Sequence, residues 1–127
     1  MRLLLDTHAY FWWSLSDPQL SDQASRAIRD ADTIFVSVVT PWEMAIKGGN
    51  GRWPEAEPTL ARFEQVVLNE GFALLQVAVA HVRRAGLMET SHRDPFDRLL
   101  TAQAELEGLA LVTADAKLAA LGAQVIW

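Results

Sequence analysis

The chain contains no cysteine, which excludes a disulfide framework, thiolate catalysis and any cysteine-ligated metal. No stretch approaches the roughly 18 consecutive apolar residues of a membrane span. The opening run Met1-Arg2-Leu3-Leu4-Leu5 meets an acid at Asp6, too early for the apolar segment of a signal peptide, so a cytoplasmic protein is expected. Positive charge is also scarce: 11 Lys and Arg stand against 16 Asp and Glu, a formal net charge of −5. That balance argues against a broad basic face gripping nucleic acid without regard to sequence. The histidines are His8, His81 and His92. They lack the close spacing of a zinc site; His92, just before the Asp94 helix, is placed to touch a substrate, but a solvated loop residue is the default reading.

What is present is the composition of a globular domain, 50% apolar and 21% charged over 127 residues. That length suits one domain, residues 1–127, with a sizeable core. Arg2 to Asp6 reads as a short buried strand ending on an acid, with Thr7 able to cap the helix that follows. That helix, from His8 to Leu15, is apolar on nearly every side. Trp12 and Trp13 lie about 100° apart on it, so both cannot face one core. One of them is a candidate partner contact, since tryptophan is enriched at interface hot spots. Ser21 opens a second helix through about Asp30.

Thr33 to Val39 is rich in β-branched residues without alternation, as in a strand covered on both faces. Thr40-Pro41-Trp42-Glu43 has the pattern of a capping box, opening a helix to about Lys47. Glu43 and Lys47, four apart, can pair. Residues 48–58 read as the one long loop. A helix follows to Glu70, then a strand over 72–77 and a helix over 78–88. Asp94 is a good N-cap, Pro95 suits the first helical position, and Asp97 falls in the first turn at the edge of an apolar stripe. Arg98 can pair with Asp94. A buried strand over 109–115 ends on Asp115, and a short helix and a final edge strand at 124–127 complete the chain. Strands alternating with helices, without hairpin signals, predict a three-layer α/β/α sandwich around a mainly parallel sheet of about five strands.

Asp6, Glu43, Asp97 and Asp115 share one property. Each ends a strand or opens the helix after one, and a parallel sheet carries all its strand C-termini on one edge. Any one of the four is explained by helix capping alone. Together they pose an electrostatic problem, because two carboxylates about 4 Å apart repel by roughly 4 kcal/mol at an effective dielectric of 20. A cation or raised pKa values must answer it. Oxygen donors without cysteine favour Mg²⁺ or Mn²⁺. Lys47, Arg93 and Arg98 are the basic residues nearest this set.

Four blocks carry a family resemblance: Leu3-Leu4-Leu5-Asp6-Thr7-His8-Ala9, Ser37 to Lys47, His92 to Gln103, and Leu111-Val112-Thr113-Ala114-Asp115. In this order and at this length the chain resembles the PIN-domain ribonucleases, and more narrowly the VapC toxins of type II toxin–antitoxin pairs. The resemblance implies a PIN-like fold and an endoribonuclease using Mg²⁺ or Mn²⁺. It places the family's acids on Asp6, Glu43, Asp97 and Asp115, with Asp94 as a cap and as the substitute third acid if the alignment shifts, and sets Thr113 near the metal. The usual asparagine after the first Asp-Thr is His8 here. It also implies RNA as substrate and commonly a homodimer; Lys47, Arg93 or Arg98, as the nearest basic residues, would steer the RNA backbone. A cognate VapB-like antitoxin would cover the toxin, with the faces around Trp12 and Trp13 suiting it. DNA binding in such pairs belongs to the antitoxin. Two other classes compete. A phospho-acceptor signalling domain wants paired acids after the first strand and a lysine near the last, and this chain lacks both. An inactive interaction module would use the acids only as caps.

Overall fold

Leu3, Leu4 and Leu5 are all fully buried, and they define the layering. Leu3 and Leu5 join one apolar cluster with Tyr10, Ile28 and Phe63. Leu4 joins a second with Leu99, Leu100 and Leu118. Alternate residues of a strand point to opposite faces, so a strand apolar at every position must be covered on both sides. Ala110 and Val112 against Leu111 repeat the alternation.

The computed structural model describes residues 1–127. Its strands are β1 (Arg2–Leu5), β2 (Thr33–Ser37), β3 (Ala73–Leu75), β4 (Ala110–Val112) and β5 (Gln124–Ile126). They form one sheet in the order β3-β2-β1-β4-β5 with every pairing parallel. The helices are α1 (Thr7–Ser14), α2 (Asp22–Asp30), α3 (Val39–Gly49), α4 (Ala56–Leu60), α5 (Phe63–Glu70), α6 (Val79–Gly86) and α7 (Pro95–Glu107). A 3₁₀ helix at Ala116–Leu121 precedes β5. Helices α1, α2 and α5 cover the Leu3 face, and α6 and α7 cover the Leu4 face. No helix is long and apolar enough to cross a membrane.

Register sets up the site. Leu5 lies opposite Val36 on β2 and Val112 on β4, so β1 and β4 end level with each other and β2 one residue beyond. The chain leaves β1 toward β2 and β3, then returns to place β4 on the other side of β1. Strand order therefore reverses between β1 and β4, where open α/β sheets form a crevice at their carboxyl edge. The Asp6 N–H donates to the Val112 carbonyl at 3.0 Å, carrying the pairing one residue beyond the strand.

Local chemistry departs from the sequence pattern in three places. Asp6, rather than Thr7, is the N-cap of α1, accepting from the Ala9 N–H at 2.7 Å. The Thr40–Glu43 spacing does not make a capping box. Ser37 Oγ accepts from the Val39 N–H, which ends β2 at Ser37 and starts α3 early, so Glu43 lands in its second turn, inside the protein. Residues 48–58 are not one loop: Gly48 and Gly49 close α3, and α4 begins at Ala56. Between them Trp53 folds back onto Phe11, with ring centroids 4.8 Å apart.

Candidate active site

Four separate segments deliver their acids to one cavity of about 340 Å³ at the carboxyl edge of the sheet. Asp6 arrives at the tip of β1, Glu43 from α3, Asp97 from the first turn of α7 and Asp115 after β4. Thr113, Lys47 and Asp94 line the same cavity.

Asp6 sits deepest. Burial pushes its carboxyl up to about 7, and the negative charges of Asp97 and Glu43 add to the push. The Thr113 hydroxyl and the Ala9 N–H oppose it. Asp97 is raised for the same first reason, burial, with Asp94 and Glu43 adding repulsion and His92 opposing. Two carboxyls that burial holds above their ordinary range in one pocket are groups whose charged forms a bound cation would stabilise.

Glu43 is 2% exposed and held at both oxygens. Thr7 Oγ1 donates to one of its oxygens at 2.6 Å, and Lys47 Nζ donates to the other. The i,i+4 pairing read from the sequence is present, and Lys47 also reaches Asp94 at 3.2 Å. Burial works against the Asp94 carboxylate, but Lys47 and the α7 N–H groups outweigh it and hold Asp94 below the ordinary range. Asp94 is the cap its position predicts, accepting from the N–H groups of Phe96 and Asp97.

Asp97, Asp115 and His92 can each offer one ligand atom such that the three lie within 4.8 Å of one another. Asp115 is aimed by its surroundings: its N–H donates to Thr113 Oγ1, and its carboxylate accepts from the Lys117 N–H. His92 is a site residue that ligand-spacing arguments pass over. It is no free loop side chain, since its Nε2 lies 2.9 Å from Asp97 Oδ2. The available signal was its place on the loop just before the Asp94 cap, from which a side chain can fold back onto the first helical turn.

The other basic residues lie outside this cavity. Arg93 is exposed. Arg98 does not pair with Asp94. Its guanidinium donates instead to the carbonyls of Ala85, Gly86 and Met88, at 3.1–3.2 Å. The partial negative charge of the α6 C-terminus outcompetes a carboxylate already taken by Lys47 and by the α7 N–H groups. Trp12 reaches the cavity rim, packed between His8 and Trp127. Trp13 turns away and donates to Glu70.

Residues 3–124 match the PIN domain. The chain belongs to the PIN-domain family. As a PIN domain it is 34% identical over 116 residues to Ribonuclease VapC22 of Mycobacterium tuberculosis, covering 91% of this chain and 88% of that relative. Solved structures carry the same fold. FitAcB from Neisseria gonorrhoeae superposes with a TM-score of 0.69 at 19% identity, over 98% of this chain and 96% of the other. VapBC2 from Rickettsia felis, bound to a promoter DNA fragment, gives 0.68 at 14%, over 98% and 97%. The Mycobacterium tuberculosis toxin VapC20, which cleaves the sarcin–ricin loop, gives 0.66 at 13%, over 94% and 95%. PIN-domain nucleases use divalent metal ions, and the donor set suits one: carboxylate oxygens, a threonine hydroxyl, no sulfur, and two carboxyls raised by burial.

Proposed function

We propose that this PIN domain is a VapC-type toxin, an endoribonuclease that hydrolyses RNA phosphodiester bonds at the acidic cavity and is silenced by a VapB-like antitoxin. One observation carries the reading. Asp6, Glu43, Asp97 and Asp115, separated by most of the chain, line one pocket. Capping accounts for Asp6 and Asp115 singly, but not for Glu43, which caps nothing and is buried, nor for the raised Asp97.

Asp6, Asp97 and Asp115 would hold Mg²⁺ or Mn²⁺, which when bound polarises a phosphoryl oxygen and activates water. The chain's own residues do the rest. Glu43, gripped between Thr7 and Lys47, presents a carboxylate of fixed orientation, fit to align an attacking water. Thr113 holds Asp6 and Asp115 in relative position. Lys47, with Glu43 on one side and Asp94 on the other, is the cation best placed to meet a phosphate of the RNA backbone. The net charge of −5 fits a chain that leaves DNA binding to its antitoxin.

For partners, Trp12 at the rim is a surface an antitoxin segment can cover while closing the pocket. Trp42, Val82 and Leu87 are exposed. Trp42 and Val82 line a second, apolar cleft of about 280 Å³ between α3, α6 and α7, a face suited to a second copy in a homodimer.

The test is cleavage of total cellular RNA by antitoxin-free protein with Mg²⁺, with Mn²⁺ and with EDTA, beside folded Asp6→Asn and Asp97→Asn. Discrete fragments that require the ion and both acids support the reading. Cleavage unchanged in the two variants overturns it.

A further inference from the structure

We propose that His92 is itself a metal ligand, turning an all-oxygen site into a mixed nitrogen–oxygen one that favours Mn²⁺ over Mg²⁺. The inference rests on the divalent-ion reading of the pocket and specifies which ion the pocket is built for.

Three observations carry it. The first is distance. Nε2 of His92 lies 2.9 Å from Oδ2 of Asp97. Ligand atoms on adjacent corners of an octahedron with bonds of about 2.1 Å lie about 3 Å apart, and those on opposite corners about 4.2 Å. The His92–Asp97 separation is that of two neighbouring ligands, and Asp115 completes a trio within 4.8 Å.

The second is that His92 is delivered by a built segment. Its N–H donates to Thr90 Oγ1 at 3.1 Å. The segment leading to it is pinned where Arg98 gathers the carbonyls of Ala85, Gly86 and Met88. Asp94, capping α7 and bonded to Lys47, pins the other side. The loop is thus fastened before and after His92, which suits a side chain whose position matters. Arg98 acts here as a positioning residue.

The third is donor chemistry. Mg²⁺ prefers oxygen and a regular shell, whereas imidazole suits transition metals, and Mn²⁺ accepts both donor types. A neutral nitrogen among the carboxylates adds a ligand without adding to the repulsion that, after burial, helps to raise Asp6 and Asp97. On binding, the proton shared between His92 Nε2 and Asp97 Oδ2 would pass to Nδ1 by a tautomer shift or be released to solvent, leaving the Nε2 lone pair and the carboxylate free to hold one ion.

The competing role is orientation only, with His92 holding Asp97 by a hydrogen bond and never touching the ion. Pulsed electron spin-echo spectroscopy on the full chain loaded with Mn²⁺ separates the two, because a directly bound imidazole imposes ¹⁴N modulation on the echo. Titration calorimetry with Mn²⁺ and with Mg²⁺ is run beside it on wild type, His92→Ala and His92→Gln, each checked for fold by circular dichroism. The expected result is ¹⁴N modulation in the wild type, absent from both variants. Mn²⁺ affinity should fall about tenfold in both, and Mg²⁺ affinity threefold or less. No ¹⁴N modulation in Mn²⁺-loaded wild type overturns the proposal while leaving the metal site standing. So does a His92→Gln protein, able to hydrogen-bond Asp97, that keeps the wild-type ratio of the two affinities. Folded wild type that binds neither ion overturns the metal reading itself.

Discussion

The Lys47 ammonium lies 3.2 Å from the Asp94 carboxylate while holding Glu43 on its own helix. One side chain therefore joins α3, the cap of α7 and the wall of the acidic pocket. Its side chain is only 16% exposed and that of Glu43 3%, so these charges are poorly hydrated and depend on each other.

Replacing Lys47 with Met should be strongly destabilising. The aliphatic stem is kept, but Glu43 is left as a buried charge without its counter-ion, at a cost of roughly 3 kcal/mol. Asp94→Asn should cost about 1 kcal/mol, because the amide can still cap α7. Urea unfolding of the two single variants and the double variant measures the coupling. A Lys47→Met protein as stable as wild type would show that the pair contributes nothing.

Asp6 predicts an inverted pH response. Its folded pKa of about 7 lies above the ordinary 3.8, so the folded state holds the proton more tightly than the unfolded chain. Its contribution to stability is fully present below about pH 4 and is lost as pH rises through about 7. Asp94, held low by Lys47, works in the opposite sense at acid pH, so the informative quantity is a difference. With EDTA present, the Tm of Asp6→Asn should gain on that of wild type as pH rises from 4 to about 8. With a divalent ion bound, the gap should shrink or reverse, since the cation stabilises the carboxylate.

Added Mg²⁺ or Mn²⁺ should stabilise the folded chain. At a hundredfold excess over its dissociation constant, a ligand that binds only the folded state contributes about 2.7 kcal/mol. Thermal shift reads this directly, and Asp97→Asn should abolish most of it. A chain whose acids are only caps would show no shift with either ion.

Arg98→Met tests the fastening of the loop. It removes three charge-assisted hydrogen bonds, to the last carbonyls of α6 and to that of Met88 just beyond it, a loss of about 2–3 kcal/mol. Hydrogen exchange should accelerate around residues 85–92 before it changes in the sheet. Uniform acceleration across the chain would mean that the arginine supports only global stability.

The sequence by itself determined a great deal. Apolar strands without alternation require cover on both faces, and their spacing by helices leads to a parallel sheet with its acids on one edge. The Asp94-Pro95 cap and the Glu43–Lys47 pair are local features, and both are present. Only tertiary structure decided the rest. The early start of α3 depends on a serine hydroxyl taking a backbone N–H, in competition with a capping box of equal local merit. Arg98 chose the end of α6 because Asp94 was already occupied from α3, and no single segment encodes that competition. His92 came to lie beside Asp97 and Asp115 because a loop between two helices folds back onto the second. The pressure on Asp6 comes from burial and from charges that are distant in sequence. Periodicity and capping are properties of neighbours along the chain, while solvation and charge–charge energy are properties of neighbours in space.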